Sequence, residues 1–488
     1  MSPTENSSAR IFDNISALAI AQIVAMMAGF FSTAWVARSL GPEGYGIIGF
    51  GTAFISYFGL MVILGTDYYG NREIAQNPDK AQALAAKIIG LRFVLATVTL
   101  TIYFAIIYFI DRSQPVKIVM MIQAIGPVFT VIAIDFIFEG RQRMRAVAVR
   151  VGGSSVLSLV CILLFVRGSE DVYVAAAIPV LATAIGTVWL VGLAHKQIVP
   201  LRISLDRQAL TTVFKDCAPI AISGFMATLF LNIDIVMLGF MRSEAETGLY
   251  TGMARLYILA FALGNLVTAA FRPAIAAAFP EPGAMVRQYG ANMTMVVLFG
   301  FPIVAGVIAF PGEIVGLVFG AGFAAGADAL VILQIAGLFG YISIAAATAL
   351  IAWHDQLAQM WCHAAVAVIN IVLNIFLIPR YGIEGAAWAT LIAQLVMLLC
   401  FTGRLQLKFS VGVWRPVLIL VPCAALAFWL ARQFTDWVQD WPSIVALFAG
   451  LTLGTLIYIG LAFICRIISF SDISKLISQR IKLKKGGA

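Results

Sequence analysis

The chain has 488 residues, of which 61% are hydrophobic and 11% charged, and its formal net charge is +8. Soluble domains carry about 25% charged residues, so a soluble fold would lack the polar surface to cover its core. The apolar runs are instead long enough to cross a hydrocarbon layer of ~30 Å, which takes ~20 helical residues. Helices satisfy their own backbone groups in that medium, and the alternating pattern of a membrane barrel is absent.

Residues 1–13 are polar and lack the pattern of a cleavable secretory signal, so the first apolar run is expected to stay as a span. About fourteen transmembrane helices are predicted, near 11–37, 45–66, 83–110, 117–138, 147–166, 172–194, 217–240, 248–271, 290–310, 328–352, 358–378, 384–403, 414–431 and 443–465. Between the first two, Gly41-Pro42 cannot continue a helix cheaply, and Gly44 and Gly46 suit a tight reversal. On the residues alone this stretch is a turn between two long apolar helices. Pro311–Ala327 is expected to lie at the membrane surface.

Lys and Arg set the orientation. Twenty-three lie in segments on the N-terminal side of the membrane and seven on the other, which predicts that both termini are cytoplasmic. The positive charge is therefore topological bias plus a basic tail suited to anionic lipid, with no nucleic-acid partner. Six isolated cysteines and three scattered histidines form no metal or disulfide spacing. There is no phosphate-binding glycine loop and no extramembrane stretch long enough for a catalytic domain, so no catalytic residue, metal or cofactor is expected.

Weak matches recur in a common order. Residues 122–126 answer 333–337, residues 139–142 answer 354–356, 167–177 answer 380–389, and Glu43-Gly44-Tyr45 answers 247–250. The expected fold is all-α and polytopic: two six-helix bundles related by a pseudo-twofold along the membrane normal, plus two C-terminal helices. The expected domains are 1–200, 201–412, and 413–488 with the two extra helices and the basic tail.

A charge in mid-membrane costs about 2.5–3.5 kcal/mol on insertion scales and asks for a partner or a watery cavity. Arg92 lies in the third span and Arg255 in the eighth. Asp135 and Glu139 end the fourth, Asp234 is in the outer half of the seventh, and Arg272-Pro273 closes the eighth. Two readings stand side by side: cations facing a cavity, or the ion pairs Arg92–Asp135 and Arg255–Asp234. Asp234 and Asp135 are candidates for proton or sodium coupling. Asn232, Asn265, Asn370 and Asn374 suit sugar hydroxyls or, more commonly, interhelical hydrogen bonds.

The hairpin Ala37-Arg38-Ser39-Leu40-Gly41-Pro42-Glu43-Gly44-Tyr45-Gly46 resembles the first interhelical turn of the Wzx-type polysaccharide flippases of the multidrug/oligosaccharidyl-lipid/polysaccharide exporter superfamily. The run 370–390, and 234–239 followed by 248–250 and 254–255, resemble the same branch. The resemblance implies translocation of a polyprenyl-diphosphate-linked oligosaccharide across a bacterial inner membrane by alternating access, without enzymatic chemistry. A drug or cation antiporter and a peptidoglycan-precursor flippase are the alternatives. It implies membrane lipids, a polysaccharide polymerase and a chain-length regulator as partners. It makes Arg92 and Arg255 the candidates for the diphosphate, through the bidentate guanidinium, and Arg38 and Arg272 mouth residues.

Overall fold

The computed structural model describes residues 3–197, 202–411, 413–438 and 440–467, and for 3–15, 220, 222, 223 and 227 the backbone alone. The basic tail from residue 468 lies outside them. The described residues are helical, without strands. In chain order the helices are α1 (Pro3–Ile63), α2 (Thr66–Gln76), α3 (Ala81–Phe109), α4 (Gln114–Gln123), α5 (Ile125–Val131), α6 (Asp135–Gly140), α7 (Met144–Phe165) and α8 (Val172–Gln197). They continue with α9 (Arg207–Met241), α10 (Glu244–Ala277), α11 (Pro282–Ala309), α12 (Pro311–Phe319), α13 (Ala327–Ala352), α14 (Gln356–Phe409), α15 (Arg415–Trp437) and α16 (Ser443–Ile464).

Among the described residues, 12 stretches are long and apolar enough to cross a membrane. Two of them, of 61 and 54 residues, are too long for one crossing. At 1.5 Å per residue they would reach roughly 80–90 Å if straight. The 54-residue stretch is broken at one left-handed glycine, Gly382 (φ 57°), and the 61-residue stretch, Ser16–Gln76, at Gly41 (φ 70°) and again at Gly65 (φ 70°), between α1 and α2. A side chain is strained at such an angle and glycine is not. Pro42 then opens the second arm of α1, where its missing N–H would have no partner anyway.

Both helices fold back on themselves. Asp355, just before α14, meets Arg404 near its far end at 2.7 Å and Lys408 at 2.8 Å. The hydrogen bond from Arg404, aided by Lys408, holds the Asp355 carboxyl below the usual carboxylate range. In α1, Leu18 and Gln22 line the same cavity as Asp67. Counting each bent helix twice gives the fourteen passes expected. The nine residues of α12 are too short to cross.

The chain forms two compact helical units, Met1–Thr251 and Gly252–Ala488. In the first, α1 packs along α7 and α9, and α2 along α6. In the second, α13 packs on α11 and α14, and α11 on α15. Tyr341 of α13 donates to the carbonyl of Ala260, and Trp353 Nε1 to that of Ile275 at 3.0 Å, tying α10 to α13. The polar ends of these large side chains thus find backbone acceptors, which burial requires.

Candidate functional site

The fourth crossing is not one helix. Pro127 cannot donate to the preceding turn, so α4 stops at Gln123 and α5 starts afresh. Residues 132–134 then break again before α6. The second break turns the carbonyls of Thr130 and Ala133 toward α3, where Arg92 waits with a side chain wholly shielded from solvent. Its Nη1 donates to both, at 3.2 and 2.6 Å, its Nε to Thr66 Oγ1 at 2.7 Å, and its Nη2 to Asp67 Oδ1 at 2.6 Å. Four donors of the guanidinium are satisfied and its charge is paired, the condition under which a buried arginine is tolerated.

A cavity of about 620 Å³ opens beside this centre, with Asp67, Asp135, Glu139 and Arg150 on its wall. Asp135 opens α6 and pairs with Arg150 of α7 at 2.6 Å. Asn71 donates to Glu139 at 3.0 Å. The ion pairs differ from the ones expected. Arg92 takes Asp67, because α2 restarts at Thr66-Asp67 directly beneath it, and Asp135 takes Arg150, one helix further on. Asp234 is buried and accepts from the hydroxyl of Tyr250 at 2.7 Å.

Helix α10 presents a different surface. Tyr257, Ala260, Gly264 and Thr268 are buried, while Arg255, Asn265 and Arg272 are exposed. At 100° per residue the exposed three fall within an arc of about 100°, and Arg255 and Arg272 stand about 25 Å apart along the axis. Among the described residues neither arginine forms a salt bridge. An unpaired guanidinium held against hydrocarbon carries an insertion cost that a watery surrounding would remove.

The remaining candidates are dispersed. Arg38 is exposed near the end of the first arm of α1. Asn232 is half-buried and donates back to the Thr228 carbonyl of its own helix at 3.2 Å. Asn374 is buried and donates to Asn370 one turn earlier at 3.1 Å. Sequence reasoning missed Asp67 and Thr66 as the partners of Arg92. The available signal was the stop in the apolar run at Leu64-Gly65, followed at once by two polar residues. No group of three metal-ligating side chains occurs among the described residues.

Two helical units of long apolar helices, one with paired charges around a buried arginine and the other with two exposed arginines on α10, define a multi-pass α-helical membrane protein. The chain belongs to the polysaccharide biosynthesis protein family, whose model matches residues 11–279, and this bears out the resemblance carried by the first hairpin. It is 22% identical over 234 residues to the probable low-salt glycan biosynthesis flippase Agl15 of Haloferax volcanii, covering 46% of this chain and 48% of that one. It is 22% identical over 270 residues to the putative O-antigen transporter of Escherichia coli K12, covering 54% and 64%. The chain thus spans between about half and two thirds of these relatives.

Among solved structures, the lipid II flippase MurJ in an inward closed conformation superimposes with a TM-score of 0.74 at 15% identity, over 92% of this chain and 98% of that one. An inward-facing multidrug resistance transporter of the MATE family gives 0.65 at 15%, over 81% and 98%. At these identities the likeness is one of fold.

Proposed function

We propose that the protein is a flippase that moves a polyprenyl-diphosphate-linked oligosaccharide from the cytoplasmic to the outer leaflet of a bacterial inner membrane, by alternating access, for surface polysaccharide assembly. The observation that carries this is the exposed face of α10, where Arg255, Asn265 and Arg272 stand beyond the acidic first turn of the helix. Guanidinium groups bind phosphate through a planar two-pronged fork, and an amide between them suits a sugar hydroxyl. A cationic face favours an anionic head group and repels the cationic cargo of a drug antiporter. Family membership points the same way.

An apolar cavity of about 420 Å³ between α11, α13 and α15, walled by Phe301, Leu338, Phe428 and Trp429, suits an isoprenoid chain. The bundles 1–200 and 201–412 are then the moving parts, with 413–488 appended. Both termini are cytoplasmic, so an impermeant thiol reagent applied to whole cells should mark Cys at the exposed positions Glu43 and Tyr381 and spare Arg143.

The test is depletion of the protein. The lipid-linked oligosaccharide should accumulate on the cytoplasmic leaflet, surface polysaccharide should disappear, and tolerance to cationic dyes should stay unchanged. Dye sensitivity with surface glycan intact would overturn the reading in favour of an antiporter.

A further inference from the structure

Four of the six cysteines stand on the helical hairpins of the second unit: Cys362 and Cys400 on the two arms of α14, Cys423 on α15 and Cys465 just beyond α16. Their spacing in sequence carries no sign of pairing, because only the folding back of each hairpin brings them together. The register of α14 can be followed inward from its open end. Asp355 meets Arg404 and Lys408, and about two turns further in the ring of His363 lies 5.3 Å from that of Phe401. Cys362 and Cys400 are the residues just before these two rings. They are neighbouring thiols, within reach of a weak hydrogen bond.

The next hairpin repeats the arrangement. A Cβ on Gly450 would come 2.7 Å from Thr435, and one on Gly454 would come 2.8 Å from the ring of Phe428 and 3.2 Å from Ala431. Small residues thus let α15 and α16 run antiparallel in close contact. Carried on to the end of α16, this register brings Cys465 to Cys423, and these thiols are neighbours of the same kind. The two pairs share a depth. Cys400 stands nine residues before the end of α14 and Cys423 eight residues after the start of α15, about 12–14 Å along each axis from the connection 410–414.

Cys362, Cys400 and Cys465 are half-buried and Cys423 is buried. A disulfide is neutral and brings no new polar group into these apolar helices, so forming one adds no desolvation cost. The topology proposed above turns this end of the helices to the cytoplasm, where thiols rest reduced. The pairs therefore rest as thiols and link under oxidative load.

We propose that Cys362–Cys400 and Cys423–Cys465 are two reversible disulfide sites, oxidised by a peroxide, which staple the arms of α14 to each other and α15 to α16. One thiol of a pair, as the thiolate, attacks a peroxide oxygen. The O–O bond breaks, a sulfenic acid forms and water leaves. The partner thiol then attacks the sulfenic sulfur, the S–S bond forms, and a second water carries away the hydroxyl and the thiol proton. Two electrons pass from the two sulfurs to the peroxide. A dithiol reductant reverses the link by exchange. The inference concerns the second unit alone and needs no assumption about the cargo.

In the purified full-length protein, hydrogen peroxide followed by alkylation and peptide mass spectrometry should give two links, Cys362 to Cys400 and Cys423 to Cys465, each two hydrogens lighter than the reduced pair. Cys161 and Cys217, which belong to the first unit, should be alkylated singly. Dithiothreitol should return all six to the alkylated state. Six singly alkylated cysteines after peroxide, or links spread over other pairings as in protein unfolded in dodecyl sulfate, would overturn the sites.

The staple itself is read as stability. Oxidation should raise the thermal midpoint of the wild type by at least about 4 °C and leave that of Cys362→Ser with Cys423→Ser unmoved. Both links formed with the wild-type midpoint unchanged would overturn the stapling. In cells exposed briefly to peroxide and quenched in acid, both links should appear, and they should fade once the peroxide is removed. Links confined to the purified protein would overturn the sites as ones the cell uses.

Discussion

Arg92 and Arg255 are the same residue type at similar depth in apolar helices, yet they occupy opposite environments. Arg92 is sealed, held by Asp67, Thr66 and two carbonyls freed by the break between α5 and α6. Arg255 is exposed on α10, on the same side as Asn265 and Arg272. The difference separates a charge that organises its own unit from a charge that forms no salt bridge among the described residues. An intramembrane arginine is therefore informative only together with what surrounds it.

The sharpest way to break this comparison is to neutralise the sealed residue. Arg92→Met should leave the Thr130 and Ala133 carbonyls and the Thr66 hydroxyl without their donor, at about 1–3 kcal/mol for each stranded group, while Asp67, whose side chain is 44% exposed, keeps its water. Little folded protein should remain on size-exclusion chromatography. Adding Asp67→Leu should recover little of it, because the half-exposed carboxylate is hydrated without its partner. Undiminished protein with transport lost would mean that Arg92, too, serves the ligand.

A smaller effect is expected one helix away. Asp135 and Arg150 each keep 17% side-chain exposure, so water compensates some of the loss. Arg150→Ala should cost about 1–3 kcal/mol of stability, read as a lower thermal midpoint, and less than Arg92→Met.

Much of the fold could be read from the residues. Gly41-Pro42 and Pro379-Arg380-Tyr381-Gly382 marked the two reversals, because local backbone chemistry decides a turn. Run length fixed the number of crossings. The partners of the charges could not be read. Periodicity places a residue on a helix face, but which neighbouring helix supplies the counter-charge depends on where the fourth crossing breaks. Pro127 announces the first break, whereas residues 132–134 carry no comparable signal. The exposure of Arg255 was equally illegible, since the sequence also offers Asp234 as its partner.

The smallest stability effect is expected at the turn before α14. Asp355→Asn removes pairs whose cations are about 40% exposed, so the loss at pH 7 should be at most about 1 kcal/mol. The carboxyl is depressed in the folded protein, so its contribution is present above the unfolded carboxylate value of about 3.9. It fades as pH falls through the lower folded value. The gap in thermal midpoint between wild type and Asp355→Asn should therefore be seen at pH 7, begin to shrink near about pH 3.9 and close only below the lower folded value. A gap undiminished once pH has passed below the folded value would assign the effect to packing. Arg272→Ala, on an exposed position, should leave the midpoint within about 0.5 kcal/mol of wild type while reducing transport.

Arg255 tests the account most directly. The measurement is surface polysaccharide, together with the amount of folded membrane protein, in a deletion strain carrying Arg255→Ala, Arg255→Lys, or Arg255→Ala with Asp234→Asn. Folded protein should match wild type in all three. Polysaccharide should be absent with Arg255→Ala, partly recovered with Arg255→Lys, which keeps the charge and loses the two-pronged fork, and still absent in the double variant. Normal polysaccharide with Arg255→Ala, or full recovery in the double variant, would contradict the account and leave Arg255 with no part in holding the cargo.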